Sequence, residues 1–347
     1  GSWQAGPVPP QARPSPAGVA TALGLSALKV QKALGTRPDL AGALNRQFSD
    51  PRLAQLFARY STYVGGSPWL SPAVLMLIWR AEAAGVWAVE GGIAALARAL
   101  AELAAAHGAE VRTEAPVARI LVEGGRVSGV VLAGGEVLHA DRVVFNGDPS
   151  ALRAGLLGSE AATTAPASKP SERSLSACVW TFAGRPQGAE LAHHTVFFSG
   201  DYKSEFEDLF TKRQIPRDPT LYISAQDRKP GRERRDPERL MMIMNAPADG
   251  DRPRPDPKEI ETWTKRAFAR LEASGLKLET PPAEALTTPW DFAALFPGTG
   301  GAIYGVAPHG MMATFRRPMM ATCRSTSASP TIGRGAGFAA SACSSLI

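Results

Sequence analysis

Few side chains in this 347-residue sequence stand at spacings that support acid–base or nucleophilic chemistry. No Ser-His-Asp arrangement marks a nucleophile, and no isolated carboxylate pair marks a general acid and base. No catalytic residue of that kind is assigned. His193 and His194 are adjacent, but neighbours on a strand point to opposite faces, so they are not expected to share one ion, and no Cys, Asp or Glu cluster completes a set. The three cysteines have no paired spacing, which argues against a zinc site and a disulfide framework and fits a reducing compartment. No metal is expected. Residues 50–79 instead concentrate Phe57, Tyr60, Tyr63, Trp69 and Trp79 in a chain that is only 7% aromatic. They read either as core or as the lining for a long apolar ligand. In "GTGGAIYG", residues 298–305, Gly298 and Gly300 fit the first two positions of a dinucleotide fingerprint, but Ile303 occupies the third and no strand precedes them.

The elements that must position these groups follow from periodicity. Ile93, Leu96, Leu100 and Leu103 recur at helical steps, which predicts an amphipathic helix that starts at Gly91-Gly92 and ends near His107, packed on another layer. The glycine pair admits two readings, close packing or backbone approach to a ligand. "AEVRT" then reads as a strand, and residues 116–148 read as a three-stranded meander followed by "DRVVFNGD", whose Val143, Val144 and Phe145 suit a strand buried on both faces. Further on, "SACVWTFAG", "HHTVFF", "TLYISAQ" and "LMMIMNAPA" predict an antiparallel sheet, with a helix over about Pro257 to Ser274. The run "RKPGRERRDPER", residues 228–239, has six basic and three acidic side chains; it reads as a solvated loop, with contact to anionic lipid head groups as the functional alternative.

Composition bounds the function. At 44% hydrophobic and 20% charged residues the chain can bury one large core or two modest ones. The net charge of +6 is spread out among nearly as many acids, which argues against nucleic acid. No stretch approaches the roughly 20 apolar residues that span a bilayer, so membrane contact, if made, is peripheral.

Five segments in order, "FARYSTYVGGSPWLSPAVLMLIWRAEAAGVWAVEGG", "HHTVFFSGDYKSEFEDLF", "IPRDPTLYISAQDR", "MNAPADGD" and "TPWDFAALFPGTGGAIYG", resemble the phytoene-desaturase family of bacterial carotenoid enzymes over roughly residues 40–318. Within it they look most like the 1-hydroxycarotenoid 3,4-desaturases of purple photosynthetic bacteria. The resemblance implies an α/β fold with a mixed α+β character: part of a glutathione-reductase-type FAD domain with its meander, and a substrate domain of antiparallel sheet and helices. It implies FAD as cofactor, an acyclic hydroxylated or methoxylated carotenoid as substrate, and a peripheral place on the cytoplasmic side of the inner membrane. Oligomeric state is left open. It places Val117, Asn146, Gly147, Asp148, Gly300 and Gly301 beside FAD, and Phe57, Tyr60, Tyr63, Trp69 and Tyr304 beside the substrate. The expected organisation is a disordered segment or linker at 1–18, helical substrate-domain sequence at 19–85, a partial FAD domain with its meander at 86–149, substrate sheet at 150–290, a return to the FAD domain at 291–318 and an atypical tail at 319–347 whose composition admits disorder or a slipped reading frame. Nothing before Val86 resembles the family's strand, glycine-rich turn and helix for the pyrophosphate, so the chain is expected to be an incomplete fragment, inactive alone. The rivals are a non-catalytic module binding an apolar isoprenoid and another flavin amine-oxidase relative.

Overall fold

The computed structural model describes residues 39–165, 168–228 and 234–310. They fall into two compact units, one including residues 39–60, 68–165 and 308–310, the other residues 61–67 and 168–307.

In the first unit, α1 (Leu40–Gln47) starts where the Asp39 carboxylate accepts from Gly42 N–H at 2.7 Å, and α2 (Pro51–Ala58) starts at Asp50 with proline in its first turn. Both starts satisfy amides that a helix leaves unpaired. Then come α3 (Leu77–Glu82) and α4 (Ile93–Ala106). The meander forms as the spacing predicts: β1 (Val117–Glu123), β2 (Arg126–Leu132) and β3 (Val137–His139) pair antiparallel in that order. Two short helices follow, α5 (Pro149–Arg153) and α6 (Ser159–Ala162). Ile120, Leu152, Ala161 and Ala165 form the core here, with Val143 and Phe145 against it.

Three expectations are corrected in this unit. Val143 to Phe145 form no strand: Val143 and Phe145 turn inward while Val144 is 61% exposed, the pattern of a segment lying on one layer, and among the described residues no strand pairs with it. "AEVRT" is also irregular, and Val111 is exposed. The stripe on α4 does not pack, since no residue of that helix is buried. Its alanine and leucine content suffices to hold the helical backbone. The glycine pair has a third explanation: Gly91 and Gly92 have φ of 76° and 82°, a region open to glycine, and a Cβ on Gly92 would meet nothing within 4 Å. At Gly92 conformation, not closeness, selects glycine, whereas a Cβ on Gly91 would also lie 3.1 Å from the Ala95 Cβ.

The second unit is built on a five-stranded antiparallel sheet. Its strands are β4 (Ser176–Gly184), β6 (His194–Phe197), β7 (Leu221–Ala225), β8 (Glu238–Ala246) and β10 (Leu286–Thr287), in the order β10-β4-β8-β7-β6; β5 (Gln187–Gly188) and β9 (Leu276–Lys277) pair separately. β4 and β8 pair without interruption from Ser176↔Ala246 to Gly184↔Glu238. After α7 (Tyr202–Glu207) comes α8 (Pro257–Ala273), which lays Trp263, Ala267, Phe268 and Leu271 on the sheet, where Trp180, Met242 and Met244 are fully buried. Burying each such side chain contributes about 1.5–3 kcal/mol. α9 (Pro289–Leu295) closes the unit.

Two smaller expectations also change. The rings of His193 and His194 lie 4.3 Å apart, because His193 precedes β6 and is not bound by strand alternation; each is engaged, His193 Nδ1 at 2.8 Å from Ala225 O and His194 Nδ1 at 2.6 Å from Tyr222 Oη. Among the described residues no cluster could hold a metal ion. The basic run is not all solvated: Arg228 and Glu238 form a nearly buried ion pair at 2.6 Å, and Arg239 binds Asp227 at 2.5 Å, while Arg234 and Arg235 remain exposed; residues 229–233 lie outside the described set.

Candidate functional site

Within the second unit, residues 248–252, after β8, meet residues 297–301, after α9, through a bond from Gly250 N–H to Gly300 O at 2.9 Å. Two arginines hold the first segment. Arg213 donates from Nε to both oxygens of the buried Asp249 at 3.0 Å and from Nη2 to Ala248 O at 3.1 Å. Arg173, in the turn before β4, meets the Asp251 carboxylate with two nitrogens, each at 2.9 Å, and reaches Ala248 O at 3.3 Å. This bidentate fork fixes both groups in one plane.

Between these segments lies a cavity of about 380 Å³ lined by Arg173, Asp251, Trp290, Ala293, Ala294, Pro297, Gly250, Gly298 and Gly300. Trp290 is held in place by its indole N–H, which donates to Arg252 O at 2.8 Å, and by Trp263, whose ring stacks at 6.2 Å. α9, which carries Trp290, starts at a capping box in which the Asp291 carboxylate accepts from Thr288 N–H at 2.8 Å and Thr288 Oγ1–H at 2.6 Å. Gly300 has φ 61°, and a Cβ there would overlap the Arg173 guanidinium, so glycine is what lets the arginine reach the cavity wall. The Arg173 guanidinium holds the Asp251 carboxyl below the usual carboxylate range, with burial opposing. The lining is thus an apolar wall with one preset charged pair at its edge. It suits an apolar molecule with a polar end, and the ion pair makes its carboxylate a weaker base than a free one.

Of the residues assigned from the sequence, Gly300 lines this cavity, and Gly301 sits next to it, its α-carbon facing Pro289 O too closely for a Cβ. Tyr304 is not on the cavity wall; its N–H donates to Ser174 Oγ at 2.9 Å. Tyr63, also in this unit, is 47% exposed. In the first unit, Phe57 stacks on Phe48 at 5.0 Å and meets Tyr60 at 6.1 Å and Trp79 at 6.3 Å. Tyr60 donates its hydroxyl to Glu82 at 2.6 Å, and Trp69 is half-buried. Val117 opens β1 and is 39% exposed. Asn146 is exposed, Gly147 gives room to the Phe145 ring, and Asp148 caps α5 by accepting from Ser150 N–H at 2.8 Å.

The described residues do not fit a flavin pyrophosphate. The long helix that opens on glycine, α4, follows an irregular segment, not a strand, and no strand, glycine turn and helix unit occurs among them. Sequence reasoning also missed Arg173, Asp251 and Trp290 as a group. "MNAPADGD" carries a visible signal, two aspartates and a glycine directly after a strand, but Arg173 lies 78 residues from its partner and has none.

Comparison with known proteins supplies the rest. Residues 22–276 match the family of flavin containing amine oxidoreductases. The chain is 46% identical over 314 residues to a hydroxyneurosporene desaturase of Rubrivivax gelatinosus, covering 90% of this chain and 60% of that protein. It is 48% identical over 312 residues to another from Cereibacter sphaeroides, covering 90% and 62%. A 1-hydroxycarotenoid 3,4-desaturase of Flavobacterium sp. is 33% identical over 207 residues, covering 59% and 42%. The chain therefore spans about three fifths of the length of these two hydroxyneurosporene desaturases.

Proposed function

Because the chain belongs to the family of flavin containing amine oxidoreductases, we propose that the complete protein uses FAD to desaturate a C–C bond of an acyclic hydroxylated or methoxylated carotenoid. One observation carries this reading: identity of 46% and 48% to two hydroxyneurosporene desaturases over 90% of the chain. When bound, FAD would accept the hydride, and with it the two electrons, that a C–C dehydrogenation releases, the second hydrogen leaving as a proton. This chain's residues contribute binding and orientation. In the first unit, the adjoining rings of Phe57 and Tyr60, and the half-buried Trp69, offer apolar surface to a polyene, while Val117 and residues 146–148 offer contacts to the cofactor. In the second, Tyr63 and Tyr304 stand for the substrate, and Gly300 and Gly301 for the flavin side. Holding a long polyene in register is itself worth several orders of magnitude in rate.

The same reading includes peripheral membrane contact on the cytoplasmic side of the inner membrane, where so apolar a substrate would be met. Leu70, Val74, Leu77, Val86 and Trp87 of the first unit are all more than two fifths exposed, Trp87 at 81%. No helix among the described residues is long and apolar enough to cross a membrane.

The test is purification of the full-length protein, visible spectroscopy, and incubation with a 1-hydroxy acyclic carotenoid in vesicles. A bound flavin band and a red shift of the polyene spectrum are the expected results. A protein without flavin that carries an unaltered polyene would support the binding-module reading instead.

A further inference from the structure

The cavity in the second unit is smaller than the proposed substrate and differently furnished from a plain polyene channel. A C40 chain does not fit into about 380 Å³, which is at the small end of the range for pockets that enclose a single compact ligand. One end of such a chain does. The wall is Trp290, Ala293, Ala294 and Pro297, and the polar groups are Arg173 and Asp251. A hydrocarbon end would leave that charged pair desolvated with nothing to gain, whereas an end that both donates and accepts one hydrogen bond would use it.

We infer that this cavity receives the hydroxylated end of the substrate and that Arg173 and Asp251 select for it; the inference rests on the carotenoid reading above. Each Asp251 oxygen takes one Arg173 nitrogen at 2.9 Å, and a carboxylate oxygen has a second lone pair to accept the alcohol proton. The guanidinium carries five N–H donors, three of its bonds being those to Asp251 and Ala248, so it can donate to the alcohol oxygen. An alcohol bridging the two would lie in the plane of the pair. Arg173 is prepared for this: its side chain is 17% exposed and Ala248 O and Gly300 fix its direction, while Asp251, at 50%, keeps an open side. A methoxy end can accept from Arg173 but has no proton for Asp251, and an unsubstituted end uses neither. The expected order is hydroxyl, then methoxy, then hydrocarbon. Arg173 and Asp251 are specificity-determining residues here, with no part in the bond-breaking step.

The test uses the full-length FAD-loaded protein and two probes small enough for the cavity, 2,6-dimethyloctan-2-ol and 2,6-dimethyloctane, titrated by calorimetry. The alcohol is expected to bind about 10- to 100-fold more tightly, the range of one hydrogen bond to a charged group. Asp251→Asn should reduce that preference to within a few-fold at unchanged flavin content, and Ala294→Leu should weaken both probes together by filling the wall. A wild-type protein that binds both probes equally, or an Asp251→Asn variant that keeps the full preference, overturns the inference. Desaturation of a 1-hydroxy carotenoid is assayed in parallel. Its absence with the alcohol preference intact overturns the carotenoid reading and leaves the alcohol site standing, whereas its presence without the preference does the reverse.

Discussion

Gly300→Ala is the sharpest test of how the cavity is built. The residue has φ 61°, where an alanine is strained by about 1–2 kcal/mol. The new Cβ would overlap the Arg173 guanidinium, so the arginine must swing away from Asp251 and Ala248. Because the Asp251 side chain is 50% exposed, the ion pair is discounted for solvent to about 1 kcal/mol. The sum is about 2–3 kcal/mol. For a unit of this size that corresponds to a fall in Tm of about 6–10 °C. Gly275→Ala provides the internal control: φ is 86° in the same unit, and a Cβ there meets nothing within 4 Å. It should show the backbone part alone, about 1–2 kcal/mol. Thermal unfolding followed by tryptophan fluorescence measures both. If the two variants lose the same stability, the close approach of Arg173 to Gly300 is not what the position is for. In an Arg173→Ala background the excess at Gly300 should vanish.

Three other outcomes are expected. Arg213→Ala strands the buried Asp249 carboxylate, whose main partner it is, and should cost about 3–5 kcal/mol in denaturant unfolding; Asp249→Asn combined with it should recover a large part. Burial pushes the His309 imidazole down to about 4, so the group is neutral in the fold; the unfolded chain binds its proton near pH 6.5, and stability should fall as pH drops from there towards 4, by about 3 kcal/mol in all, an effect that His309→Gln should remove. Tyr60→Ala should lower carotenoid turnover more than flavin content, and equal loss of both would identify the Phe48, Phe57, Tyr60 and Trp79 group as plain core.

The sheet of the second unit was legible from the sequence because each strand carries its own signal. "SACVWTFAG" runs from Ser176 to Gly184, the bounds of β4, and its β-branched and aromatic residues have few other uses. Val143 to Phe145 carry an equally apolar signal and form no strand, since a strand needs a neighbour and an apolar triplet says nothing about one. The α4 stripe misleads in the same manner: spacing shows that leucines share a face, not that anything covers it. The cavity was half visible. Glycines 298, 300 and 301 stood out as a cluster, but the reason for Gly300 is the guanidinium of Arg173, which stands before the first strand of the sheet. Contacts of that reach have no local trace.

The bare state of α4 has a measurable sequel in hydrogen exchange. Fourteen residues held by their own ladder, with none buried, make a helix near the length at which isolated helices are marginal in water. Its amides should open locally at a free energy far below that of β4 and β8, whose nine-residue ladder is enclosed. Deuterium should therefore enter residues 97–106 within the time that leaves the sheet protonated. Any surface that comes to rest on Leu96, Leu100 and Leu103 would slow that entry, and the exchange rate of this one helix then reads out whether its apolar face is covered.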